Sequence, residues 1–272
     1  MKKIFIVLII FILKINSVHA AIKVVPTLIE LSANSAKSNY LTTKFSVCAD
    51  KNEIVRFKLY PQYFTISNDG KMNVSDSDNY PDSLVKYARF TPSEFTLKNG
   101  ISQLVRITFA DIDKLPDGES RMVMFIEDVK AREINLPNNN KNVSSKIIVK
   151  TRLGIPIYVD KGKFVKVCNF DDLKIERDNK NLAYKMHISS SGNSKVRYRA
   201  KGQLIKDKEL IEEFDMDSNT IRANGFFEER KYLPSNLKEG DYTFRVILTY
   251  KNEKGENKSL IKEANFSVAN SI

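Results

Sequence analysis

Ile54-Val55-Arg56-Phe57-Lys58-Leu59-Tyr60 alternates at a period of two. Successive side chains of a strand point to opposite faces, so the run reads as a half-buried strand. Working outward, Leu41-Thr42-Thr43-Lys44-Phe45-Ser46-Val47, Leu104 to Phe109 and Tyr242 to Leu248 repeat that character, with β-branched and aromatic enrichment. Turn signals punctuate the runs: Asn68-Asp69-Gly70, Lys98-Asn99-Gly100, Pro116-Asp117-Gly118, Ser191-Gly192-Asn193, Glu239-Gly240-Asp241 and Glu253-Lys254-Gly255. Short strands at such intervals predict an all-β protein built of β-sandwiches. Lys206 to Phe214 is the one stretch that reads as a short helix.

The chain has 272 residues, 42% hydrophobic and 28% charged, an ordinary globular composition. That length suits one large domain or two ordinary ones. Asp160-Lys161-Gly162-Lys163 closes one strand series, and another begins at Phe164, so domains of 21–160 and 161–272 are expected. Asn135 to Asn142 is polar and reads as a long loop.

Residues 1–20 read as a signal peptide. Met1-Lys2-Lys3 is a basic start, Ile4 to Leu13 an apolar run of ten, and Val18-His19-Ala20 a cleavage site after Ala20. Ten apolar residues span only about half of a bilayer core, and no later run approaches the length of a spanning helix. Stable membrane insertion is therefore not expected. Removal of the segment takes three Lys and no acid, lowering the formal charge from +11 to about +8. The basic residues are dispersed, and an exported protein seldom meets nucleic acid, so nucleic-acid binding is not expected either.

Several chemistries lack material. Only His187 remains in the mature chain, and Cys48 and Cys168 form no CxxC pair. A zinc or thioredoxin-type site cannot be assembled from these, and no GxGxxG, P-loop or HExxH motif occurs. No catalytic residue, metal or cofactor is expected. Outside the cytoplasm a disulfide is permitted; two separate thiols and one cross-domain Cys48–Cys168 bridge both fit the sequence. Both cysteines sit in strand-like runs, Phe45 to Cys48 and Phe164 to Phe170.

After the polar loop comes Val143-Ser144-Ser145-Lys146-Ile147-Ile148-Val149-Lys150-Thr151-Arg152-Leu153. In a strand, Val143, Ile147, Val149 and Leu153 share one face; Lys146, Lys150 and Arg152 share the other, with Ile148. One reading is a half-buried strand with a solvated basic face. The other is a sheet edge able to pair with another chain, with nearby cations free to bind a carboxylate.

Residue order then carries a resemblance. Phe90-Thr91-Pro92-Ser93-Glu94-Phe95-Thr96-Leu97-Lys98-Asn99-Gly100 leads into Gln103-Leu104-Val105-Arg106-Ile107. Leu115-Pro116-Asp117-Gly118-Glu119-Ser120 follows, then Met122-Val123-Met124-Phe125. Thr151-Arg152-Leu153-Gly154-Ile155-Pro156-Ile157-Tyr158 comes later, as do Ser191-Gly192-Asn193 and Tyr232-Leu233-Pro234 with Leu237 to Tyr242. This ordered combination resembles the periplasmic pilus chaperones, the PapD-like family, over most of the mature chain. The Gly-Ile-Pro ending is more similar to the family's archaic branch.

The resemblance implies two immunoglobulin-like sandwiches set at an angle and a non-enzymatic role in the periplasm. Such a chaperone binds pilus or fimbrial subunits that lack a strand, supplies its own G strand, and delivers them to an outer-membrane usher. Val143, Ile147 and Val149 map to the apolar plugs of that donor strand, while Ser145 stands where another plug is expected. Arg152, then Lys150, map to the cation that anchors the subunit's C-terminal carboxylate. The family's second cation follows Pro-Thr on the first strand; here Pro26-Thr27 is followed by Leu28. Self-association through the exposed edge is a further expectation. The rival reading is a secreted two-domain β-sandwich adhesin or structural subunit.

Other residues carry bland assignments. Glu119 and Ser120 are expected to be structural at a strand entrance, Glu127 and Asp128 to be surface acids, and His187 to be a strand residue. Asn73-Val74-Ser75 and Asn142-Val143-Ser144 match glycosylation sequons by chance unless the host glycosylates.

Overall fold

The computed structural model describes residues 22–49, 54–98, 100–130, 132–136, 145–178, 181–235 and 237–269. The signal-peptide assignment and Val143 therefore lie outside the described residues. Among these, the only helical pieces are three-residue 3-10 turns.

The first set of strands is β1 (Ile22–Val25), β2 (Ile29–Ser32), β3 (Tyr40–Ala49), β4 (Ile54–Ile66), β5 (Met72–Ser75), β6 (Ala88–Thr91), β7 (Glu94–Lys98), β8 (Ser102–Ala110), β9 (Gly118–Asp128), β10 (Arg132–Leu136), β11 (Ser145–Val149) and β12 (Arg152–Lys161). One sheet runs β1-β3-β8-β6 and the facing sheet β2-β12-β9-β4-β5, with β7 also on β4. The opening segment switches sheets around Pro26: β1 pairs antiparallel with β3, whereas β2 pairs parallel with β12, Ile29 opposite Ile157. Alternate residues meet between the sheets. Phe45, Val47, Phe57, Leu59, Val105, Ile107, Phe109, Met122, Ile126, Ile155 and Ile157 form that core.

The second set is β13 (Asn169–Asp178), β14 (Asn181–Ser189), β15 (Val196–Lys206), β16 (Glu209–Ile221), β17 (Phe226–Tyr232), β18 (Gly240–Lys251) and β19 (Asn257–Val268). Sheets β13-β14-β17 and β16-β15-β18-β19 enclose Phe170, Met186, Ile188, Tyr198, Leu204, Phe244, Val246 and Leu248. The protein is thus all-β, two immunoglobulin-like sandwiches, as the period-two runs and the resemblance indicated.

Three local expectations are corrected. Lys206 to Phe214 is no helix but the β15–β16 hairpin. Asp207 and Lys208 take φ of 51° and 69°, the left-handed pair a tight hairpin turn needs, and cross-strand pairing overrides helix propensity there. Asn135 and Leu136 are strand residues of β10, paired with Lys146 and Ser145; residues 137–144 lie outside the described residues. Cys168 precedes β13 instead of lying in a strand. Both cysteines are free thiols; Cys168 is buried in the second core, and Cys48 is half-buried on β3.

A polar seam joins the sandwiches. The Glu119 carboxylate accepts from the Lys195 backbone N–H at 2.9 Å, and the Glu119 N–H donates to the Asn193 carbonyl. Ser194 donates to Asp160 at 2.6 Å, and Lys166 pairs with Asp160 at 2.8 Å. Lys195, only 3% exposed, places Nζ 2.8 Å from Glu30 and over the Tyr158 ring at 3.7 Å. Gly118, at φ 101°, backs onto the Asn193 carbonyl, where a Cβ would sit 2.7 Å away. Glu119 is thus structural, and Ser120 is buried beside it on β9. The turn after β4 makes a second junction, the Glu228 N–H donating to the Asn68 carbonyl.

Candidate partner-binding site

Strands β9 and β12 run side by side from Gly118↔Lys161 to Glu127↔Arg152. Beyond that point the chain continues as a separate two-stranded ribbon, β10 on β11, from Arg132↔Val149 to Leu136↔Ser145. The register slips by two residues between the two stretches, which separates β11 from β12 at Lys150 and Thr151. The predicted strand from 143 to 153 is therefore interrupted. Its outer part, β11, hydrogen-bonds to β10 and to no other strand among the described residues. Ile147 stands opposite Ile134 and Val149 opposite Arg132, and Ile148 is 65% exposed.

At the root of the ribbon, the two cations named from the sequence differ in their surroundings. Arg152 lies on the sheet face that turns away from the first core. Its guanidinium covers the Phe125 ring at 4.1 Å and donates to the Tyr60 hydroxyl at 3.4 Å. It has no carboxylate partner among the described residues. Lys150 is already ion-paired with Glu127, whose carboxylate also accepts from the Tyr60 hydroxyl at 2.5 Å. The Lys150 ammonium and the Tyr60 hydroxyl hold the Glu127 carboxyl below the usual carboxylate range. Burial raises the Tyr60 phenol.

Glu127 and Asp128 are therefore not plain surface acids. Glu127 is part of this cluster, and Asp128 is only 5% exposed, accepting from the Lys130 N–H at 2.9 Å. The bend after β9 turns that carboxylate back onto its own backbone. His187 lies in β14 as expected, 3.5 Å from Asp171.

Below Arg152 the same sheet face is apolar. Phe64, Ile66, Val123, Phe125 and Tyr158 are buried together, with Leu28 and Tyr60 packed against them. Leu28 thus occupies the first-strand position as part of an apolar cluster and brings no charge. Gly154 lets the strands close here: a Cβ would lie 2.8 Å from Val123 Cγ2 and 3.0 Å from Phe125 Cε1.

Tyr60 and Phe125 were not assigned to the site by sequence reasoning, and Glu127 was read as a surface acid. A signal was present. Met122 to Ile126 is apolar without a break, and Tyr63 and Phe64 are consecutive large side chains. A strand apolar at successive positions is covered on both faces.

No protein-family model matches the chain, and no curated protein does. Among solved structures it is similar to the class 5 fimbriae chaperone CfaA, at 18% identity and a TM-score of 0.47, over 89% of this chain and 98% of that one. It is similar to the chaperone–tip subunit pre-assembly complex CsuC–CsuE of the archaic Csu pili of Acinetobacter baumannii, at 12% identity and a TM-score of 0.48, over 90% of this chain and 98% of that one. It is also similar to the Salmonella enterica SafA pilin–SafB chaperone complex, at 8% identity and a TM-score of 0.41, over 92% and 97% of the two chains.

Proposed function

We propose that this protein is a periplasmic chaperone of the PapD-like type. It holds pilus or fimbrial subunits that lack a strand by lending them β11, and passes them to an outer-membrane usher. The observation that carries this reading is the β10–β11 ribbon, which continues beyond the β9–β12 pairing with one edge of β11 unpaired among the described residues. The motifs from Phe90 to Phe125 and from Thr151 to Tyr158 support it. The N-terminal segment supports export to the periplasm.

An unpaired strand exposes a row of N–H and C=O groups, and a subunit missing one strand supplies the complementary row. Val143, Ile147 and Val149 act as the apolar plugs. Each fully buried Val or Ile contributes roughly 1.5–3 kcal/mol, less the cost of ordering the ribbon. Arg152 anchors the subunit's C-terminal carboxylate through its fork of donors, backed by Phe125 and Tyr60. Lys150 joins only by leaving Glu127. No nucleotide or metal takes part, and release follows strand exchange with the next subunit.

The test is affinity capture from the periplasm with tagged mature protein and an Ile147→Asp/Val149→Asp variant. Retention of a small β-rich subunit by the wild type, and its loss from a folded variant, is the expected result. Equal retention by both, or none by either when candidate subunits are co-expressed, refutes the strand-lending mechanism.

A further inference from the structure

The outward face of the β16-β15-β18-β19 sheet handles its charges unevenly. Toward one end, cations meet acids across the strands: Lys201 pairs with Glu213 at 2.8 Å, and Arg245 with Glu263 at 2.6 Å. Gln203 also donates to Glu213. Toward the junction with the first sandwich this pairing stops. Arg197 stands opposite Thr220 and Arg199 opposite Thr249, so no cross-strand carboxylate faces either. Among the described residues neither takes an ion pair, and both are exposed. Two like charges two positions apart on one strand face repel, and the acid beside them, Glu30, is shared with Lys195 and Lys166.

These arginines line a cavity of about 510 Å³ with Lys166, Lys195, Lys251 and Glu30. Its one lining carboxylate is engaged, since Glu30 holds Lys195 at 2.8 Å. Lys166 is engaged by Asp160, and its N–H by Glu253. Desolvation pushes the Glu30 carboxyl up, but Lys195, Lys166 and Arg197 around it win and hold it low. Among the described residues Arg197, Arg199 and Lys251 take no ion pair, and with Glu30 shared among several cations the concave site is left net positive.

We propose that this cavity binds an acidic segment, clustered Asp and Glu side chains, of the protein partner carried on β11. The inference rests on the chaperone reading and adds a second, electrostatic contact supplied by the other sandwich. A peptide fits better than an anionic membrane because the charge lies in a recess between β2 and β15, with Lys195 only 3% exposed at its floor. Two guanidinium forks favour carboxylates through paired charge-assisted hydrogen bonds. Such contacts raise the association rate and fix orientation, and salt weakens them.

The probe is fluorescein-labelled octa-aspartate, titrated into the mature protein by anisotropy at 25 and 150 mM NaCl. Arg197→Gln/Arg199→Gln is expected to weaken binding at least tenfold at low salt, while Arg197→Lys/Arg199→Lys, which keeps the charge and loses the forks, weakens it by about threefold. Lys44→Gln/Lys174→Gln removes the same net charge from exposed strand positions elsewhere and should change binding less than twofold. Equal weakening by both Gln pairs means net charge alone and overturns the proposal. So does absence of binding at 25 mM NaCl, or binding to vesicles of 30% anionic lipid without binding to the peptide. Octa-aspartate binding needs no subunit, so its failure is distinct from failed capture by β11.

Discussion

Replacing Lys195 by Met tests the seam between the sandwiches. The Lys195 ammonium lies 2.8 Å from the Glu30 carboxylate and 3.8 Å from that of Glu119. At an effective dielectric near 20, these separations correspond to attractions of about 6 and about 4 kcal/mol. Desolvating ions costs several kcal/mol each, so the pair contributes far less than that sum. Removing Lys195 is different for Glu119, which stays buried, than for Glu30, whose side chain is 49% exposed. Glu119 is 6% exposed, and its burial already pushes the carboxyl up against the pull of Lys195 and Arg121. It would keep Arg121 at 3.2 Å and the backbone N–H of residue 195. The expected loss is therefore about 3 kcal/mol, the low end for breaking a buried pair. That corresponds to roughly 6–12 °C in Tm for a protein of this size. Differential scanning calorimetry and urea unfolding read it out, and Glu119→Gln added to Lys195→Met should recover part of the loss. A change below about 0.5 kcal/mol in the single variant would refute the reasoning, since this is the level of an ordinary surface substitution.

Two further outcomes follow from packing and burial. Gly154→Val drives side-chain atoms into Val123 and Phe125; it should cost about 1–3 kcal/mol in urea unfolding, and a neutral result would count against the tight strand contact. Burial pushes the Cys168 thiol up to about 12, so in the native protein it should resist a thiol reagent at pH 8 and react only after unfolding. By linkage, a thiol raised in the fold contributes stability that is present below its unfolded pKa near 9 and lost as pH rises toward 12, at up to about 1.4 kcal/mol per pH unit. Cys168→Ala should flatten that alkaline slope, and an unchanged slope would sink the assignment.

Much of the fold was legible because alternation is a local property. Val55, Phe57 and Leu59 face the core for the reason visible in their spacing. The Asp207-Lys208 turn was missed because no Gly or Asn marks it, and the polar, acidic run beyond reads as well for a helix as for an edge strand. At the site, Arg152 was legible as a cation on the face opposite Leu153, and the structure adds its platform. Tyr60 and Phe125 come from β4 and β9, and only the Tyr60↔Phe125 register sets them side by side beneath it. The same sheet pairing brings Glu127 to Lys150, so one of the two cations starts out engaged.

The sequence by itself determined that the chain is all-β and where most strands run. Its period-two pattern reports which side of each strand is apolar, and that needs only neighbours along the chain. Tertiary structure decided what each face meets. Glu119 and Lys195 are 76 positions apart, and neither reads as buried until the two sandwiches touch. Leu28 joins an apolar cluster, and Arg197 and Arg199 take no ion pair among the described residues, because of which strands become neighbours. A side chain's charge is written in the sequence, but whether that charge is neutralised depends on contacts between distant segments, which no local pattern encodes.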